Sequence, residues 1–151
     1  MQYKNFDIIK YSDQYHSQLL DVWEKSVVAT HHFLLQEDFQ SIKELVNKID
    51  FNDFQVFCFV KRTELLGFIG VAGDKVEMLF IAPEYMGQGL GSRLIEFAIN
   101  TLKINKVDVN EQNTKSVLFY KKLGFETYER TALDDQGKAY PLLRMRLNGK
   151  L

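Results

Sequence analysis

Three glycines at alternate positions, in Met86-Gly87-Gln88-Gly89-Leu90-Gly91, follow the apolar run 76–81. After them Leu90, Leu94, Ile95, Ala98 and Leu102 recur at helical spacing. Glycines let a backbone approach a ligand closely, and the first N–H groups of a helix are unpaired and aimed outward. An anion is the natural occupant, because the helix dipole reinforces those donors. The chain lacks the Lys-Ser/Thr pair of a nucleoside-triphosphate loop: after the last glycine it reads Ser92-Arg93. The glycine spacing and the late position in the chain also fail the dinucleotide fingerprint.

A second constellation lies a strand and a turn downstream, from Asn113 through Ser116, Phe119 and Tyr120 to Leu123-Gly124-Phe125. Together the two stretches resemble the GCN5-related N-acetyltransferase (GNAT) superfamily. In that family a strand ending Leu-x-Val-x-Pro runs into Gln/Arg-x-x-Gly-x-Gly/Ala, followed by Asn-x-x-Ala-x-x-x-Tyr and Leu-Gly-Phe. The matching stretches are Leu79-Phe80-Ile81-Ala82-Pro83, the glycine loop, and 113–125. Met86 replaces the usual Gln or Arg and Ser116 the usual Ala. The resemblance implies acetyl-CoA as co-substrate, with Leu79, Phe80 and Ile81 pairing their backbone with the pantetheine arm across a gap in the sheet. Gly87, Gln88, Gly89, Leu90, Gly91 and Ser92 would hold the pyrophosphate, and Asn113 the pantetheine. Asn113 also suits a helix N-cap, and the two roles can coexist.

Acyl transfer from a thioester to an amine expels a thiolate, which a nearby phenol can protonate. By spacing alone Tyr120 reads rather as a core aromatic beside Val117, Phe119 and Leu123; the resemblance reverses that preference and makes it the phenol. The amine must lose a proton, and Asp108 and Glu77 are the carboxylate candidates, each with the alternative of a solvated strand residue. Backbone N–H groups of 79–81 suit a developing oxyanion. His31, His32 and Phe33 lie where the family commonly forms the acceptor wall. With three histidines and no carboxylate at a ligand spacing, a metal site is not expected. Cys58, in an apolar run, reads as a buried strand residue rather than a nucleophile.

These residues need a scaffold, and 151 residues suffice for a single domain spanning 1–151. Residues 6–11 read as a strand. Leu19, Leu20, Trp23 and Val27 mark a first helix, and Phe39, Ile42, Leu45, Val46 and Ile49 a second. The runs 54–60, 65–71 and 76–81 are joined by short turns, as in an antiparallel meander. A strand at 106–109, a helix at 116–123 and strands at 125–130 and 142–147 complete the pattern. The fold class is α/β, or mixed α+β. It has a mostly antiparallel sheet of about seven strands, one strand-helix-strand crossover and about four flanking helices.

A net charge of -1 removes the positive field that nucleic-acid binding needs. No apolar stretch is long enough to span a bilayer and no leader pattern opens the chain, so a cytoplasmic location is expected. The expected partner is a small-molecule or protein amine, with the chain acting as a monomer or as a homodimer through its closing strands. An acyl-CoA sensor with little catalysis and a site for another phosphorylated ligand are the competing readings.

Overall fold

The computed structural model describes residues 6–148. Strands β1 (Phe6–Lys10), β2 (Gln55–Lys61), β3 (Glu64–Ala72) and β4 (Lys75–Ile81) pair in succession, all antiparallel. The β2–β3 and β3–β4 links turn with positive φ at Arg62 (60°) and Gly73 (62°), as tight hairpins between right-twisted strands require. Helix α3 (Leu90–Thr101) then carries the chain to β5 (Lys106–Asn110), which lies parallel to β4. Helix α4 (Thr114–Lys122) leads to β6 (Phe125–Thr131), and β7 (Leu142–Leu147) returns between β5 and β6. The resulting seven-stranded order is β1-β2-β3-β4-β5-β7-β6.

The apolar pattern explains why helices cover both faces. Every residue of β3 between its two ends is buried, as expected of a central strand with cores on both sides. On one side Leu66, Ile69 and Val71 meet Leu90, Leu94, Ile95 and Ala98 of α3 and Val117 of α4. On the other, Leu65 and Phe68 meet Leu19, Val22, Trp23 and Val27 of α1 (His16–Thr30) and Val46 of α2 (Gln36–Asn47). Successive β4 side chains divide likewise, Leu79 and Ile81 toward α3, Met78 and Phe80 toward α1.

The elements fall where the periodicity places them, with one departure on α2. Leu45 is 49% exposed, because α2 reaches the core along the line of Phe39, Ile42 and Val46, and Leu45 lies off that line. Cys58 is fully buried, and burial pushes its thiol up to about 12, so it carries no thiolate near neutral pH. No helix among the described residues is long and apolar enough to cross a membrane.

β3 and β4 approach closely because Gly67 presents no side chain. A Cβ there would stand 2.9 Å from the Phe80 carbonyl oxygen and 2.6 Å from Ile81 Cδ1. We expect Gly67→Val to lower stability by about 1–3 kcal/mol, read as a reduced urea midpoint with an unchanged slope. An unaltered midpoint would show that the strands have room to part.

Candidate active site

β4 and β5 pair at Lys75↔Lys106 and Val76↔Val107 and then separate. The cause lies on β4. Gly70 pairs with Met78 and Val71 with Val76, so Glu77 is an extra residue without a partner on β3. Such a bulge bends its strand and increases the local twist. Beyond it the side of β4 that faced β5 has no strand partner among the described residues. Buried backbone donors and acceptors require partners, and an extended ligand with amide groups supplies them as an added strand would.

A cleft of about 440 Å³ opens at this parting. Leu79, Phe80 and Ile81 form its floor, and Met86, Gly87 and Gly89 one end. Gly87 (φ 79°) and Gly89 (φ 88°) are left-handed, a conformation that residues with a Cβ adopt only with strain. They turn the chain into α3, whose first turn brings Leu90, Gly91 and Ser92 to the cleft. The first intrahelical bond near this end runs from Arg93 N to Gly89 O at 3.1 Å, so the three preceding N–H groups remain for an anion. Lys115 of α4 supplies a cationic side chain to the same cleft.

Asn113, Ser116 and Phe119 close the opposite wall. Asn113 Oδ1 accepts from Ser116 N at 3.3 Å, so the side chain caps α4 while also facing the cleft. Tyr120 stands beside the cleft but does not line it. Its ring packs edge-on against Phe119 at 5.0 Å and Phe125 at 5.6 Å. Burial raises the phenol pKa well above its usual value, so the hydroxyl is protonated at neutral pH, as a proton donor must be.

A second cavity, about 160 Å³, lies on the α1 side of β4. Trp23, Val27, Leu34 and Ile42 give it apolar walls, and Asn110, Asp134 and Tyr140 add polar atoms. His31 and Phe80 line both cavities and therefore mark their junction. Burial, with the neighbouring His32, holds the His31 ring down to about 4, so it is neutral at pH 7. The loop bearing Asp134 is held to the helical layer by a buried clasp. Tyr140 Oη donates to Asp38 Oδ2 at 2.5 Å and accepts from Leu35 N at 3.1 Å, while Lys138 Nζ pairs with Asp38 Oδ1 at 3.0 Å.

Of the residues singled out from the sequence, Leu79, Phe80, Ile81, Gly87, Gly89, Leu90, Gly91, Ser92, Asn113 and His31 come together at the cleft. Gln88 is exposed and bonds the Glu84 carbonyl, His32 is exposed, and Phe33 packs against His31 and Tyr140. Neither carboxylate candidate lines either cavity. Asp108 Oδ2 accepts from Lys75 Nζ at 2.8 Å and Arg144 Nη1 at 2.6 Å, and Glu77 is the exposed bulge residue. Among the described residues no three His, Cys, Asp or Glu side chains gather as a metal site. The cleft adds Ser26 and Thr30, which carry no local signal because only tertiary packing brings α1 beside β4, and Tyr85, which lies immediately before the glycine loop. Lys115, Ser116 and Phe119 were within reach, since they share a helix with Asn113.

Residues 13–147 match the family model described as an acetyltransferase (GNAT) domain. The chain is 38% identical over 128 residues to the peptidyl-lysine N-acetyltransferase YjaB of Salmonella typhimurium, covering 85% of this chain and 88% of that protein. The Escherichia coli protein of the same name is 37% identical, with 85% and 87% covered. The solution structure of apo-form YjaB from Escherichia coli superposes with a TM-score of 0.87 at 34% identity, covering 95% and 98% of the two chains. The same fold is found in PaiA N-acetyltransferase from Thermoplasma acidophilum, solved with coenzyme A, at a TM-score of 0.68, 23% identity and coverages of 93% and 98%. With the parted strands, the glycine turn and the start of α4 from Asn113 to Phe119 in one cleft, these matches establish that the chain belongs to the GNAT family of acyl-CoA-dependent N-acetyltransferases.

Proposed function

We propose that the protein transfers the acetyl group of acetyl-CoA to the side-chain amine of a lysine in a protein or peptide by direct attack on the thioester. The observation that carries this reading is the adjacency of two cavities that share His31 and Phe80. One suits an extended, phosphorylated cofactor. The other is narrow and apolar with an acidic residue, Asp134, on its wall, which suits a four-carbon stem ending in an amine. The name of the YjaB relatives, peptidyl-lysine N-acetyltransferase, agrees with that acceptor.

In this reading residues 79–81 pair with the pantetheine arm, the turn from Gly87 to Ser92 binds the pyrophosphate, and Asn113 adds a side-chain contact. Met86 costs the phosphate site little, because the donors there are main-chain N–H groups. The thioester carbonyl then lies near the junction, where β4 N–H groups steady the oxyanion. Tyr120 gives its proton to the departing thiolate. A buried phenol is a weak acid, so the proton moves as charge builds on sulfur rather than before it.

Isothermal titration with acetyl-CoA tests the donor site. The parent is expected to bind, and Gly87→Val, placing a side chain in open space at a left-handed position, to weaken binding by at least about tenfold while retaining its circular dichroism. A parent that binds no acetyl-CoA would sink the acyltransferase reading. Mass spectrometry of a lysine-containing peptide incubated with acetyl-CoA reads turnover, and absence of any product despite cofactor binding would favour a sensor. For Tyr120→Phe we expect kcat to fall about 10²-fold or more with cofactor affinity nearly unchanged. Equal kcat in the two proteins removes Tyr120 from the mechanism.

A further inference from the structure

Acetyl transfer to an amine needs a base, and the carboxylates nearest the parted strands lie outside both cavities. Asp108 is held in ion pairs with Lys75 and Arg144, and Glu77 points away from both cavities into solvent. The acceptor cavity itself has three titratable side chains, His31, Asp134 and Tyr140. Asp134 Oδ1 accepts from the backbone N–H groups of Gln136 (3.0 Å) and Lys138 (2.9 Å), and so folds its own turn. The Tyr140 hydroxyl both donates to Asp38 and accepts from Leu35. His31 is left.

Its tautomer follows from the chain of hydrogen bonds behind it. Thr30 Oγ1 donates its only proton to the Ser26 carbonyl at 2.7 Å. The same oxygen lies 2.7 Å from His31 Nδ1, so at that contact it must accept, and Nδ1 carries the ring proton. Nε2 is then the nitrogen with a free lone pair, on a ring that lines both cavities. We propose that His31 Nε2 is the base that takes the proton from the attacking amine. Thr30 acts as a positioning residue that fixes the ring and its tautomer.

The step balances without a further reactant. The amine lone pair forms a C–N bond to the thioester carbonyl carbon, giving a nitrogen with positive charge beside the oxyanion. That nitrogen is a far stronger acid than a free ammonium, and its proton passes to Nε2. The C–S bond then breaks with its electron pair going to sulfur and the thiolate takes the Tyr120 proton; His31 gives its proton up to water as Tyr120 regains one from water, so the net change is amine plus thioester to amide plus thiol. Because the ring is held neutral at pH 7, its lone pair is present before the amine arrives. The other titratable groups around it are His32 beside it, Asp134 and Tyr140 across the acceptor cavity, and Tyr85 and Lys115 across the cofactor cleft.

This assignment rests on the acetyltransferase reading, and the test separates the two. In the parent, the ¹⁵N spectrum of the His31 ring reads the tautomer without any assay. Nδ1 protonated and Nε2 bare is expected from neutral pH down to about 4, and a proton on Nε2 at neutral pH would overturn the proposal. The sign of the associated stability change follows. The unfolded chain takes this proton near 6.5, so folding loses stability as pH falls from 6.5 toward 4 and keeps it above. With the lysine peptide as acceptor, His31→Gln and His31→Ala should bind acetyl-CoA as the parent does while kcat falls about 10²- to 10⁴-fold. Free imidazole should restore activity to His31→Ala and not to His31→Gln, whose side chain still fills the site. A kcat within about threefold of the parent, or an inactive His31→Ala that imidazole does not rescue, defeats the base assignment alone. A parent that neither binds acetyl-CoA nor turns over defeats the acetyltransferase reading and this step with it.

Discussion

An unmet backbone demand organises this molecule. β4 and β5 begin as a pair and part after two residues, and the bulge at Glu77 makes the parting permanent. Sheet strands rarely leave a buried edge open, because each unpaired N–H or C=O costs free energy comparable to a lost hydrogen bond. Here the open edge is affordable only because the gap is a cleft that water and an extended ligand can enter. Everything else in the donor half follows from where β4 points. Its C-terminal end runs into the glycine turn, which turns the start of α3 toward the same opening.

Two kinds of structure meet at that opening and differ in what holds them. The donor side is made of main chain: a strand edge, a left-handed turn and a helix terminus. Its side chains mostly face away into the core under α3, so the ligand surface and the packed interior are two faces of one segment. The acceptor side rests on Phe80 and Asn110 of the sheet, and the rest of it is made of side chains borrowed from α1, the α1–α2 connection, α2 and the loop 132–141, which pair with no strand there. They are fastened by the Asp38–Tyr140–Lys138 clasp instead. In it the hydrogen bond from Tyr140, more than that from Lys138, holds the Asp38 carboxyl below its usual value and keeps it charged.

That difference explains what could be read from residues alone. The helical stripe from Leu90 to Ala98 is local, and so is the alternation of glycines, so the donor side is legible in a single stretch of chain. Asn113 carries two compatible roles because an N-cap and a cleft contact use different atoms of one amide. Most of the acceptor side is illegible for a physical reason. Apart from His31, its lining residues Trp23, Ile42, Asp134 and Tyr140 come from separate elements that only tertiary packing brings together. The carboxylates fared differently. Asp108 sits at a register position directly opposite Arg144 on β7, a pairing that only sheet order reveals.

The clasp at Asp38 has a consequence for how such a protein diverges. A binding surface built from backbone changes little when its residues are replaced, so the donor half can drift in sequence while keeping one ligand. A surface built from a few side chains on elements joined by a clasp can be re-cut by exchanging those side chains, leaving the sheet untouched. The molecule is in effect a fixed socket with an interchangeable aperture. Selection for a new acceptor would therefore act on loop 132–141 and the α1–α2 connection long before it reached the strands.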